Sequence, residues 1–114
     1  MKIYLDDIRP CPPGFTLARN IQEAKVLIDH AREYDIPWET ISLDHDLGAC
    51  AHCLQTGDFT GVMPYCSHVG TGYDLLRWMI ETNTWPSFKP TVHSMNIAKA
   101  IQMRQDIDRY FPSR

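Results

Sequence analysis

Residues 41–46 read Ile41-Ser42-Leu43-Asp44-His45-Asp46, a short apolar run that stops abruptly on ionisable side chains. A run of that length bounded by polar residues is a buried strand, expected here over Ile41–Leu43. The chain repeats the design on either side. Lys2-Ile3-Tyr4-Leu5 breaks off at Asp6-Asp7, and Thr91-Val92 runs into His93-Ser94. A further strand, Phe15–Ala18, follows the segment Ile8–Gly14, whose three prolines and single glycine forbid a helix.

Helical segments separate these runs. Asn20 and Glu23 occupy capping-box positions ahead of Ile21, Ala24, Leu27, Ile28 and Ala31, and Pro37 bars continuation. Thr71 and Asp74 do the same before Leu75, Leu76, Met79 and Ile80. Asn96 opens the last helix, with Ile97, Ala100, Ile101 and Ile107 expected on one stripe and an end near Phe111-Pro112. Strands alternating with helices in this order favour a parallel sheet with right-handed crossovers, an α/β fold. A length of 114 residues holds one domain, spanning 1–114.

Composition narrows the function. Hydrophobic residues at 44% and charged ones at 22% are those of a soluble globular protein. A formal charge of −3, with Lys and Arg scattered singly, excludes an extended nucleic-acid surface but leaves room for a pocket that takes one small anion. The start MKIYLDD is not a signal peptide and no apolar run approaches a membrane span, so a cytoplasmic location is expected, with no membrane partner. The four cysteines should stay reduced there.

In open parallel sheets ligands gather beyond the carboxyl ends of the strands. Asp6-Asp7, Asp44-His45-Asp46 and His93-Ser94 all fall at such ends and are expected on one rim. Crowded together, Asp6, Asp7 and Asp44 would repel one another unless a cation or a shared proton relieved them, and Mg²⁺ suits hard oxygen donors of this kind. His45 and His93, with Asp44 and Asp46 beside them, are the expected catalytic groups, since imidazole exchanges protons near neutral pH. Backbone N–H groups near Ser94 and Asn96, and near Gly70-Thr71-Gly72, offer anion sites at helix starts. Arg9 and Lys99 offer countercharge. The expected partner is thus a small phosphorylated molecule. Trp38, Trp78 and Trp85 suit packing more than base stacking.

From Leu47 to Gly70 the periodicity is lost, and this Cys/His-rich insertion holds four glycines and three of the cysteines. Cys50-x-x-Cys53 and Cys66-x-His68 are paired as tetrahedral zinc ligands are, with His52 as the alternative to His68. With four protein ligands the ion is structural, and its binding supplies folding free energy to a loop with no core of its own. A thioredoxin-like role is disfavoured, because this Cys-x-x-Cys lies within a long loop rather than opening a helix after a strand.

Four stretches together carry a resemblance: Leu5-Asp6-Asp7-Ile8-Arg9, Ser42-Leu43-Asp44-His45-Asp46-Leu47-Gly48, Gly70-Thr71-Gly72-Tyr73-Asp74-Leu75-Leu76 and His93-Ser94-Met95-Asn96. The chain resembles response-regulator receiver domains and, as a set of motifs, the divergent cyclic-phosphate-processing receiver-like family. The resemblance implies a receiver/flavodoxin-like three-layer fold, with about four strands in the order 2-1-3-4. The expected fold is without the fifth strand, its lysine and the fifth helix of receivers. It implies Asp6 and Asp7 as metal ligands, Asp44 at the phosphoacceptor position and Ser94 as the switch hydroxyl. It also implies a role on cyclic phosphates of nucleotides or ADP-ribose.

The expectation that follows is a phosphoesterase: Asp6, Asp7 and Asp44 bind metal or orient water, His45 and His93 carry protons, and Arg9, Thr71, Ser94 and Asn96 hold the phosphate. The alternatives are a non-catalytic protein that sequesters a phosphorylated nucleotide signal and, more weakly, a phosphoacceptor receiver.

Overall fold

A computed structural model describes residues 1–48, 51–57 and 69–112. The strands are β1 (Lys2–Leu5), β2 (Thr16–Ala18), β3 (Thr40–Leu43) and β4 (Thr91–Val92). All pair in parallel in one sheet of order β2-β1-β3-β4. The helices are α1 (Ile21–Glu33), α2 (Ala51–Thr56), α3 (Gly72–Glu81) and α4 (Ile97–Tyr110). The expected strand order and α/β architecture are therefore present.

Period-two alternation sorts the central strands into two unlike faces. Ile3 and Leu5 of β1, with Ile41 and Leu43 of β3, belong to the hydrophobic core. The alternate positions are Lys2, Tyr4, Thr40 and Ser42, which are not part of that core. Register places Lys2 beside Thr40 and Tyr4 beside Ser42.

The core face is covered by α1, α3 and α4. Helix α1 packs against α3 and α3 against α4, so the three form one row. The proline-bearing segment before β2 supplies no helix, and Tyr4 and Ser42 are nevertheless buried on the other face. Buried faces follow helical spacing: Ile21, Ala24, Ile28 and Ala31 in α1, and Leu75, Leu76 and Met79 in α3. Helix α4 corrects the expected stripe. Ala100, Met103 and Ile107 are inside, while Ile97 and Ile101 are exposed. Positions 100, 103 and 107 share one flank of a helix with 3.6 residues per turn, and 97 and 101 turn away from it.

A second correction falls in the insertion. Residues 51–56 form the short helix α2, with Cys53 buried on it. One and a half turns are too few to reveal a periodic stripe in the sequence. The tryptophans serve packing. Trp38 is buried and donates Nε1–H to the Thr40 carbonyl, Trp85 meets Phe111 edge-on, and Lys25 lies over Trp78. Among the described residues no helix is long and apolar enough to cross a membrane.

Candidate functional site

Asp6 follows β1 and is fully buried. A carboxylate so placed must be hydrogen-bonded. Its Oδ1 accepts the backbone N–H groups of Ile8 and Arg9 at 3.0 and 2.8 Å. Its Oδ2 accepts from Arg9 Nη1 at 3.2 Å and faces His93 Nε2 at 3.0 Å. Burial works to raise the Asp6 pKa, but these donors and the Arg9 charge outweigh it and hold the carboxyl below its ordinary range. Arg9 Nη1 also donates to the His93 carbonyl at 2.8 Å. Arg19 Nη1 donates to the carbonyls of Asp6 and Arg9, fixing the turn between them.

The ionised Asp6 settles the state of His93. With Asp6 Oδ2 as acceptor, Nε2 is the donor, and burial lowers the ring's pKa in spite of that carboxylate, which favours the neutral imidazole. Nδ1 is then an acceptor and takes the Ser42 hydroxyl at 2.7 Å. Tyr4 stacks on the ring, with centroids 4.3 Å apart and planes 8° from parallel. Tyr4, Ser42 and Arg19 were not among the residues singled out from the sequence. A signal for two of them exists: Tyr4 and Ser42 stand two residues before Asp6 and Asp44, the spacing that puts strand residues on one face.

Asp44 follows β3 and is buried, its Oδ1 accepting the N–H of His45 at 2.8 Å. Burial, then the charges of Asp6 and Asp7, push its pKa up to about 6. Asp7 is raised as well, by burial and by the neighbouring Asp6 and Asp46, with Arg19 opposing. Donor atoms of Asp6, Asp44 and His93 lie within 4.8 Å of one another. Hard oxygens under mutual repulsion, with an imidazole beside them, fit a divalent cation. Asp7 is outside this close group and abuts Gly48, where a Cβ would lie 2.6 Å from its Oδ2.

His45 is outside this close group. Its Nδ1 lies 2.8 Å from Asp46 Oδ1, and its Nε2 makes no hydrogen bond among the described residues. Asp46 bridges to Thr71, and Gly72 donates its N–H to the His45 carbonyl at 2.8 Å. The start of α3 presses so close that a Cβ on Gly72 would sit 1.6 Å from the Asp44 carbonyl oxygen. Gly72 is therefore required for this contact, a role that the Gly-Thr-Gly stretch did not disclose.

The hydroxyl and amide side chains expected at the phosphate accept backbone N–H groups near helix starts. Thr71 Oγ1 accepts from Asp74 N, Asn96 Oδ1 accepts from Lys99 N, and Ser94 Oγ accepts from Asn96 N. Of the four zinc-ligand positions only Cys53 is described; Cys50, Cys66 and His68 lie outside the described residues.

Residues 1–109 match the family model described as the cyclic-phosphate processing receiver domain. No curated protein and no solved structure matches the chain.

Proposed function

The chain belongs to the cyclic-phosphate processing receiver domain family, and from that premise we propose a phosphoesterase that opens a cyclic phosphodiester of a nucleotide or ADP-ribose-type molecule. The observation that carries this reading is the meeting of Asp6, Asp44 and His93 within 4.8 Å at the ends of three strands, with the carboxylate-held His45 on the residue after Asp44.

Asp6 and Asp44, with the Asp7 charge beside them, would hold a divalent cation, which when bound would supply charge neutralisation for the phosphate and a more acidic water. Asp46 orients His45 through Nδ1, leaving Nε2 to exchange a proton. As a water oxygen bonds to phosphorus, the ring P–O bond breaks and the departing oxygen leaves as a hydroxyl. His45 takes the water proton as the P–O bond forms and returns it to the departing oxygen, so the step closes with no net proton gained or lost. Arg9 Nη1 is committed to Asp6 and His93, which leaves its other N–H groups to pair with a phosphate. His93 transfers no proton in this scheme, because both ring nitrogens are engaged. Cys50, Cys53, Cys66 and His68 are retained as a structural zinc set on their spacing alone.

The test is product analysis with 2′,3′-cyclic nucleotides and an ADP-ribose cyclic phosphate, using wild type and His45→Gln, with and without added Mg²⁺ or Mn²⁺. The expected result is cation-dependent ring opening, slowed about 10²–10⁴-fold by His45→Gln with ligand affinity retained. Tight binding of these compounds by wild type with no product overturns catalysis in favour of a sequestering protein.

A further inference from the structure

Resting on that reading of the pocket, we infer that His93 Nε2 is a third protein ligand to the cation beside Asp6 and Asp44. The centre is then a mixed carboxylate–imidazole one that takes Mn²⁺, or a later first-row ion, ahead of Mg²⁺.

The spacing is that of adjacent ligands. His93 Nε2 and Asp6 Oδ2 are 3.0 Å apart, and two donors on bonds of about 2.1 Å at right angles also lie about 3.0 Å apart. Asp44 brings a separate observation. It is only 7% exposed, one of its oxygens accepts the His45 N–H, and the other accepts nothing among the described residues. That second oxygen keeps accessible surface, since no sealed side-chain atom lacks a partner. An unpartnered oxygen on a largely buried carboxylate, whose group offers a donor atom within 4.8 Å of those of Asp6 and His93, is a ligand position.

Ser42 lets His93 change roles without moving. A hydroxyl both donates and accepts, so the ring proton passes from Nε2 to Nδ1 when Nε2 binds the ion, and Nδ1–H then donates to Ser42 Oγ. A hydrogen bond from the far nitrogen is the usual support of a ligating imidazole. Stacking on Tyr4 holds the ring plane in both states. Arg9 yields Oδ2 and keeps the His93 carbonyl. The imidazole sets the ion preference, because nitrogen suits Mn²⁺ and later ions better than Mg²⁺.

The experiment is Mn²⁺ titration of the full chain followed by electron paramagnetic resonance, with spin-echo detection of directly bound nitrogen. Mn²⁺ is chosen because the thiolates of the inserted segment bind it poorly. Wild type should show nitrogen coupling and resist displacement by excess Mg²⁺. His93→Gln should abolish the coupling, and Asp7→Asn should keep it. Ser42→Ala should keep the coupling and weaken Mn²⁺ binding on the order of 10-fold. It decides the matter should His93→Gln fail to fold. Bound Mn²⁺ without nitrogen coupling, or with coupling that survives His93→Gln, removes His93 from the site and leaves the carboxylate pocket standing. No Mn²⁺ binding at all overturns both.

Discussion

His93 reaches over the end of β3 to meet Asp6, its Nε2 lying 3.0 Å from Asp6 Oδ2 although β4 and β1 each pair with β3 and not with each other. Two strands that share no backbone hydrogen bond are thereby tied at the rim. Asp44, at the end of the strand between them, is buried and offers a donor atom within 4.8 Å of those of Asp6 and His93.

This tie predicts a definite proton position. In cation-free protein at neutral pH, nitrogen NMR should find His93 neutral with the proton on Nε2, as an ionised Asp6 requires. Ser42→Ala removes the donor to Nδ1 and should cost about 1–2 kcal/mol of unfolding free energy. An Nδ1–H tautomer in the cation-free state would refute the assignment of Asp6 as the acceptor.

Asp44 should leave a mark on stability against pH. Its folded pKa of about 6 stands above the ordinary carboxyl value of 3.8, so the folded state holds the proton more tightly. This group's contribution to stability therefore falls as pH rises from about 4 to about 6. At about 1.4 kcal/mol per pH unit, the loss is roughly 3 kcal/mol once Asp44 is ionised. Without divalent cation, Asp44→Asn should be more stable than wild type at pH 7 and lack this fall. Urea unfolding across pH measures both, and equal stabilities throughout would contradict the burial of an ionised Asp44.

Gly72→Ala should disturb the rim from outside it. The added Cβ meets the Asp44 carbonyl at 1.6 Å, so the start of α3 must shift. A loss of about 3 kcal/mol or more is expected in thermal or urea unfolding. Gly14→Ala is the control, since nothing lies near its would-be Cβ and only its positive φ is strained. A Gly72 variant as stable as the Gly14 one would refute the close approach.

Asp46→Asn tests orientation of His45 apart from its chemistry. The amide keeps the size of the carboxylate but can present N–H where Nδ1–H needs an acceptor. Turnover should fall roughly 10-fold or more with KM little changed. A change in KM alone would place Asp46 in substrate binding and remove it from the support of His45.

Much of this was readable along the chain. Caps at Asn20, Thr71 and Asn96, and apolar runs ending at Asp6, Asp44 and His93, depend on neighbours within a few residues, so they placed the strands and long helices correctly. Helix α2 was missed because six residues carry too little pattern. The buried flank of α4 was misjudged because Ile97 and Ile101 are as apolar as the residues that face inward.

Linear order thus established the strand–helix succession and the polar residue types at the strand ends, since short-range hydrogen bonding and hydrophobic spacing act within one segment. Which of those ends touch was decided by packing. Strand order and register bring Tyr4, Asp6, Ser42, Asp44 and His93 together, and the approach of α3 sets His45 apart. Contacts between distant segments arise only when the sheet closes, so no local rule distinguishes the histidine bound at both nitrogens from the one left with a nitrogen open.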